Sequence, residues 1–143
     1  MKTLQQIEAQ AVCKDCARCD PKEQGLCCQN GSGLALKQDI LDIANTFHLS
    51  EEDTLRIYFD EIERFGTKFY QPKQHKIPNR PHGPCIFFAK GIGCTIYSVR
   101  PTQCRIGTWG KASKENLQWF FDTYAVKRDI FAEQEYNRFK RCA

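Results

Sequence analysis

Nine cysteines in a chain of 143 residues are the side chains best suited to chemistry, and five of them lie within sixteen positions. Cys13, Cys16 and Cys19 form two successive Cys-x-x-Cys steps, and Cys27 and Cys28 are adjacent. A gap of two residues lets both sulfurs face one centre at the separation that tetrahedral metal–sulfur bonding needs. Thiols at this density are either oxidised in pairs or held by metal, and the spacing favours metal.

A second group of cysteines, Cys85, Cys94 and Cys104, begins about sixty residues downstream. Closing the connection between the groups costs a few kcal/mol of chain entropy, which structural metal binding of about 10 kcal/mol offsets. We therefore expect both groups to share one site. Arg100 and Arg105 flank Cys104, and we assign them as cofactor-binding residues because a tetrathiolate centre is negatively charged. The alternative is that both arginines are surface residues.

The composition indicates one soluble globular domain over residues 1–143. Hydrophobic residues make up 41% and charged residues 27%, and no apolar run reaches the eighteen or so residues of a membrane span. The net charge of +4 is mild and spread along the chain, so nucleic-acid binding is not indicated. The first nine residues lack the apolar stretch of a secretory signal, and we expect a cytoplasmic protein with reduced thiols.

Hydrophobic periodicity predicts helices in the first half of the chain. We expect a short helix over residues 4–12 and a second helix over 37–47, where apolar residues recur at helical spacing. A third helix should begin after Ser50, continue through Ile62 and stop at Gly66. The proline-rich residues that follow, up to position 84, favour a loop. Asp39, Asp42, Glu61 and Glu63 are placed on polar helix faces without an acid–base role.

The second half is predicted to hold a small hairpin and a long helix. Residues 85–88 and 94–97 read as two strands joined by a glycine turn, with one cysteine at the start of each arm. Residues 113–140 read as one amphipathic, aromatic helix that closes the core or, alternatively, binds a protein partner. The expected fold is mostly α with a small β-hairpin, a compact single domain organised around a cysteine-ligated metal centre.

The ordered motifs of the chain resemble a known family. They are Cys16-x-x-Cys19, Cys27-Cys28, Gly83-Pro84-Cys85, Gly93-Cys94-x-x-Tyr97 and Arg100-Pro101-x-x-Cys104-Arg105. Together they resemble the YkgJ-type cysteine cluster family, the CxxCxxCC zinc- or iron-chelating domain, over about residues 13–110. The resemblance implies metal chelation by Cys16, Cys19, Cys27, Cys28, Cys85, Cys94 and Cys104. Cys13, a ligand by its spacing, and Cys142 lie outside the family's core pattern.

Three functions follow from these residues. A 4Fe-4S cluster held by four thiolates, in a redox, cluster-handling or structural role, is favoured. Zinc in cysteine-only sites, in a structural or interaction module, is the alternative, because all-cysteine ligation suits either metal. The third is a thiol enzyme in which Arg100 and Arg105 lower the pKa of Cys104.

Overall fold

A computed structural model describes residues 2–9, 32–106, 113–127 and 129–142. About half of it is helical, and it contains two small antiparallel hairpins. The helical content agrees with the predicted fold class, whereas the prediction of a single hairpin is wrong. Among the described residues, no helix is long and apolar enough to cross a membrane.

Two helices in the first part of the chain lie where periodicity predicts them. Helix α1 spans Leu4–Ala9, and the remainder of the predicted segment lies outside the described residues. Helix α2 spans Lys37–Phe47, as predicted, and buries Ile40 and Ile43 completely. It ends at His48, whose backbone is left-handed with φ 56° and whose N–H bonds to carbonyls of the last turn.

Helix α3 spans Glu51–Tyr58 and starts as the sequence predicts. The Ser50 side chain accepts a hydrogen bond of 3.1 Å from the Asp53 N–H, which satisfies one donor of the first turn. The helix does not continue through Ile62, so that part of the prediction is wrong. The chain passes directly into a strand after Tyr58.

The first hairpin consists of β1 (Phe59–Arg64) and β2 (Thr67–Pro72), paired antiparallel along their full length. Its two turn residues, Phe65 and Gly66, both have positive φ values, of 53° and 73°. Two-residue turns with both φ values positive match the twist of the flanking strands. Gly66 is therefore a turn residue and not a helix stop. The predicted loop is a strand over its first six residues.

The second hairpin is shorter than predicted and shifted. Strand β3 is Phe88–Ala89 and β4 is Gly93–Cys94, so Cys94 ends its arm and lies opposite Phe88. Cys85 precedes the hairpin and is the first residue of a turn, in which the Phe88 N–H donates to the Cys85 carbonyl at 3.0 Å. The predicted second strand instead gives way to a 3-10 turn over Tyr97–Val99. A four-residue helix α4, Thr102–Arg105, follows and was not predicted.

The predicted long C-terminal helix is wrong, because it is broken in two. Helix α5 spans Ser113–Tyr124 and α6 spans Ile130–Cys142. Between them Lys127 has a left-handed backbone with φ 45°, a conformation that stops helix propagation. The Tyr136 hydroxyl of α6 donates to the Asp122 carboxylate of α5, so α6 folds back onto α5.

Burial and this hydrogen bond both raise the pKa of Tyr136, so its hydroxyl remains a donor. Phe131, which the sequence places on the apolar face of the helix, is 76% exposed. A partner bound at that face stays a prediction.

Two clusters of buried side chains form the core. The first joins α1, the tip of the first hairpin, α5 and α6, and its members are Ile7, Leu34, Phe65, Phe69, Ile106, Phe120, Phe121, Ala125 and Tyr136. The second lies between α2, the first hairpin and the segment around Cys85, and its members are Ala35, Ile40, Ile43, Phe59, Cys85, Phe87 and Ile96.

Truncating Phe65 tests whether the first hairpin is held by the first cluster. The ring is 4% exposed and lies 4.8 Å from the Phe121 ring and 5.0 Å from the Tyr136 ring, between centroids. Phe65→Ala should lower the free energy of unfolding by about 3–5 kcal/mol in denaturant titration. Ile92→Ala, at a side chain 62% exposed, should change it by less than about 0.5 kcal/mol. Equal losses in the two variants would contradict this packing.

Candidate metal centre

The three downstream cysteines lie in the described part of the chain. Cys85 is 6% exposed and Cys94 and Cys104 are half-buried. Cys85 belongs to the second core cluster, and Cys94 packs against that cluster. The five upstream cysteines, Cys13, Cys16, Cys19, Cys27 and Cys28, lie outside the described residues.

Within the described ranges, no group of three or more His, Cys, Asp or Glu side chains could hold a metal ion. The predicted set of ligands, with both cysteine groups at one site, therefore stays a prediction. The placement of the downstream thiols nevertheless shows which parts of the chain lie next to them.

Cys85 is placed by an extended segment that continues from β2. Gln74 and Cys85 form an isolated antiparallel bridge, and the Ile86 N–H donates to the Lys73 carbonyl at 3.0 Å. The Gln74 side chain also reaches in two directions. Its Oε1 accepts from the Gly83 N–H at 3.2 Å, and its Nε2 donates to the Ser32 Oγ at 3.0 Å. Gln74 thus links the Cys85 segment to the residues that follow the upstream cysteines.

Cys104 lies against the backbone of Gly33. A Cβ atom at position 33 would be 2.4 Å from the Cys104 Sγ and 3.1 Å from the Cys104 backbone nitrogen. A side chain at position 33 would therefore force the Cys104 sulfur or the Gly33 segment to move. Hydrogen bonds between Leu34 and Gln103 hold Gly33 close to Cys104. The Leu34 N–H donates to the Gln103 Oε1 at 2.6 Å, and the Gln103 N–H donates to the Leu34 carbonyl at 3.3 Å.

The helix that carries Cys104 is fixed by the carboxylate of Asp39. This side chain is 2% exposed, so the expectation that it lies on a polar helix face is wrong. It accepts 2.8 Å hydrogen bonds from the N–H groups of Leu36 and Thr102, and it also accepts from the Thr102 hydroxyl. The Arg105 guanidinium donates to it at 3.0 Å. The start of α2 and the start of α4 therefore share one buried charge.

Arg105 also contacts the first helix. Its Nη1 lies 3.3 Å from the Glu8 carboxylate, and each of the two side chains is 32% exposed. Glu8 lies near the end of α1, two positions before the undescribed residues 10–31 begin. Gly33 lies two positions after they end and contacts Cys104. The chain therefore enters and leaves the upstream cysteine segment beside α4.

Helix α5 covers this network with aromatic side chains. Burial raises the pKa of Tyr124, and the negative charge of Asp39 raises it further, whereas Arg105 acts in the opposite direction. The phenol therefore stays protonated near neutral pH. The Trp119 ring lies edge-on to Tyr124, and its N–H donates to the Lys2 carbonyl at 2.8 Å. These contacts hold the N-terminal residues against α5.

The two arginines assigned as cofactor-binding residues have different surroundings. Arg105 pairs with the carboxylates of Glu8 and Asp39, as described above. The Arg100 guanidinium carbon lies 3.9 Å from the centre of the Tyr97 ring, and its Nη1 donates to the Tyr97 carbonyl at 3.0 Å. In the described part of the chain no carboxylate pairs with Arg100. Both assignments stay predictions.

A comparison with family models identifies the family of this chain. The model named CxxCxxCC, with the description "putative zinc- or iron-chelating domain", matches residues 12–124. The chain belongs to the CxxCxxCC family. Membership confirms the resemblance that the motifs indicate, and it supports a cysteine domain that chelates zinc or iron.

The CxxCxxCC match includes eight of the nine cysteines, among them Cys13, and leaves out Cys142. It extends beyond α4 to the end of α5, so the helix that covers the Asp39 network is part of the CxxCxxCC domain. Neither a curated protein nor a solved structure matches the chain.

Sequence reasoning missed four residues that position the thiols: Glu8, Gly33, Asp39 and Gln74. A local signal exists only for Asp39, the third residue of α2, whose carboxylate accepts from the Leu36 backbone N–H and so forms one half of a capping box. Leucine at the cap position, in place of serine or threonine, conceals that motif. The partners of the other three residues are far away in the sequence.

Replacing Asp39 by asparagine tests the buried carboxylate. Asp39→Asn leaves the Arg105 guanidinium without its buried counter-charge, and it should lower the free energy of unfolding by about 3–5 kcal/mol. Asp42→Asn makes the same change on the exposed face of α2, where Asp42 accepts from Gln38, and should cost less than about 0.5 kcal/mol. Denaturant titration of both variants measures the difference. Similar stabilities for the two proteins would show that the Asp39 charge is not needed.

Proposed function

We propose that this protein holds a 4Fe-4S cluster through thiolates of both cysteine groups. One observation carries the proposal: both ends of the segment that contains the five upstream cysteines are fastened beside α4, the helix of Cys104. Glu8 fastens the entry through Arg105, and Gly33 fastens the exit by direct contact with the Cys104 thiol.

Covalent geometry limits how far the upstream cysteines can lie from these anchors. Cys13 follows Glu8 by five positions, and Cys28 precedes Gly33 by five. Five residues of fully extended chain span at most about 18 Å. Chain length alone therefore limits Cys13 to about 18 Å from Glu8 and Cys28 to about 18 Å from Gly33, which makes a shared site attainable.

The donors available also fit a metal centre. Thiolates are the ligands of 4Fe-4S clusters and of tetrathiolate zinc, and the family motifs supply seven of them. Because the described residues do not form a three-ligand group, we assign the remaining ligands to the upstream segment. The close contact of Gly33 with Cys104 keeps side-chain bulk away from one proposed donor.

The surroundings of the downstream thiols support iron–sulfur over zinc. Cys85 packs among Phe87 and Ile96, which are 5% and 4% exposed, and a dry apolar shell protects a cluster from water and oxygen. Arg100, four positions before Cys104 in the chain, is the positive charge that we propose stabilises a negatively charged cluster. A bound cluster would supply electron transfer or redox sensing. The residues of the chain would hold it and exclude water, and we place this activity in the cytoplasm.

Zinc is the second candidate, because the family description names it. In that case the protein would be a structural or interaction module with cysteine-only sites. The third function, a thiol enzyme, has less support. Arg105, adjacent to Cys104, already pairs with the carboxylates of Glu8 and Asp39.

Metal analysis of the protein purified without oxygen distinguishes these functions. We expect a brown protein with a broad visible absorption band and about four iron and four acid-labile sulfide per chain. Cys85→Ser and Cys104→Ser should each lose most of the iron, since a hydroxyl is a poor ligand for this cluster. Cys142→Ser, outside the family match, should keep it.

Three results would contradict the proposal. A colourless protein with stoichiometric zinc supports the second candidate. A folded protein without metal, or full iron retention in both Cys85→Ser and Cys104→Ser, rules out the shared centre.

Adding one methyl group at Gly33 tests its contact with Cys104. In Gly33→Ala the new Cβ would overlap the thiol, so either the segment or the sulfur must move. We expect the iron content of the purified protein to fall at least several-fold, because misplaced ligands cost metal affinity. Gly91→Ala is the matched control: it strains a residue with φ 83° but has no atom within 4 Å of the new carbon. Equal iron content in the two variants would sink the idea that this contact positions the donor.

A further inference from the structure

We propose that Gln74 and Ser32 form a positioning clamp that fixes Cys85 relative to the upstream cysteine segment. The inference rests on the proposed function and adds two residues that the family motifs do not contain. Gln74 lies opposite Cys85 in a β-bridge, and Ser32 is the first described residue after the upstream cysteines. Their hydrogen bond of 3.0 Å joins positions that are 42 residues apart.

The other hydrogen bond of the Ser32 hydroxyl determines which of the two side chains is the donor. The Ser32 hydroxyl donates its single hydrogen to the Pro72 carbonyl at 2.7 Å. The Ser32 Oγ can therefore only accept from position 74, and the Gln74 Nε2 is the donor. A third bond, from Gln71 Nε2 to the Ser32 carbonyl at 3.1 Å, holds the backbone of Ser32 against the end of β2.

The other end of the Gln74 amide holds the Cys85 segment. Its Oε1 accepts from the Gly83 N–H at 3.2 Å. A Cβ atom at Gly83 would lie 1.6 Å from the His75 carbonyl oxygen, so the Gly83 backbone packs closely against the segment that contains Gln74 and His75. The Pro84 carbonyl accepts from the His75 N–H at 2.8 Å and completes the contact.

A side-chain amide suits this position because it carries a donor and an acceptor at one end. Methionine, of similar length, provides neither bond, and glutamate could accept from Gly83 but could not donate to Ser32. Both Gln74 and Ser32 are half-buried, so water replaces their bond only in part. Loss of the amide should therefore let the two cysteine-bearing segments move apart by small amounts.

The test measures how fast bound metal leaves the holoprotein. Gln74→Met and Ser32→Ala each remove the clamp bond from one side, and Gln38→Met makes the same substitution on the exposed face of α2. Purified proteins are mixed with excess chromogenic iron chelator without oxygen, and the release rate is recorded beside the melting temperature. We expect release 10- to 100-fold faster in the first two variants, about the effect of removing an outer partner of a metal ligand.

Two further proteins separate positioning from general stability. The double variant of Gln74→Met and Ser32→Ala should release metal more slowly than the product of the two single effects predicts, because both remove the shared bond, although each also removes one bond of its own. Ser32→Thr keeps the hydroxyl and should restore release close to the wild-type rate. If Gln74→Met fails to fold, Ser32→Ala and Ser32→Thr carry the comparison alone.

The outcomes are distinct for the two proposals. A wild-type protein that folds without metal overturns the proposed function, and the clamp with it. A wild-type protein that holds metal, with the clamp variants releasing it at the wild-type rate, overturns the clamp alone. A lowered melting temperature with unchanged release gives Gln74 a structural role only and also overturns the clamp.

Discussion

Burial of the Asp39 carboxylate is the interaction on which the position of Cys104 depends. A carboxylate taken out of water costs several kcal/mol unless hydrogen bonds and an opposite charge replace its hydration. In this protein the N–H groups of Leu36 and Thr102, a hydroxyl and the Arg105 guanidinium supply that replacement. Leu36 lies three positions before Asp39 in the sequence, and Thr102 lies 63 positions after it. The carboxylate therefore keeps all its hydrogen bonds only while α2 and α4 keep their relative positions.

The fastening of the cysteine segment at both ends removes much of the entropy cost of assembling a site. Closing a loop of this length costs on the order of 3 kcal/mol. Ile7, beside Glu8, and Leu34, beside Gly33, are both buried in the first core cluster. Burying one such side chain contributes about 1.5–3 kcal/mol. The core therefore offsets the closure cost, and metal binding need not supply it.

The parts of the fold that depend on local pattern could be predicted, and the parts that depend on distant partners could not. Helix α2 begins and ends where its apolar stripe does. The first hairpin was missed because Phe59 and Ile62 fit a continued helix as well as a strand, and pairing with β2 decides between them. The break before α6 has no glycine or proline to mark it, since the left-handed residue is Lys127. The cysteine motifs predicted the family, whereas Gln74 acts through a residue 42 positions away.

Cys85 and Cys104 differ in how far apart in the sequence the residues lie whose hydrogen bonds hold each cysteine in place. The bridge that holds Cys85 joins residues eleven positions apart, whereas the bonds that hold α4 join residues 63 and 69 positions apart. Short-range pairings close sooner during folding than long-range ones. Placing Cys85 therefore requires only the pairing of two neighbouring segments, whereas placing Cys104 requires α2 and α4 to be in position together.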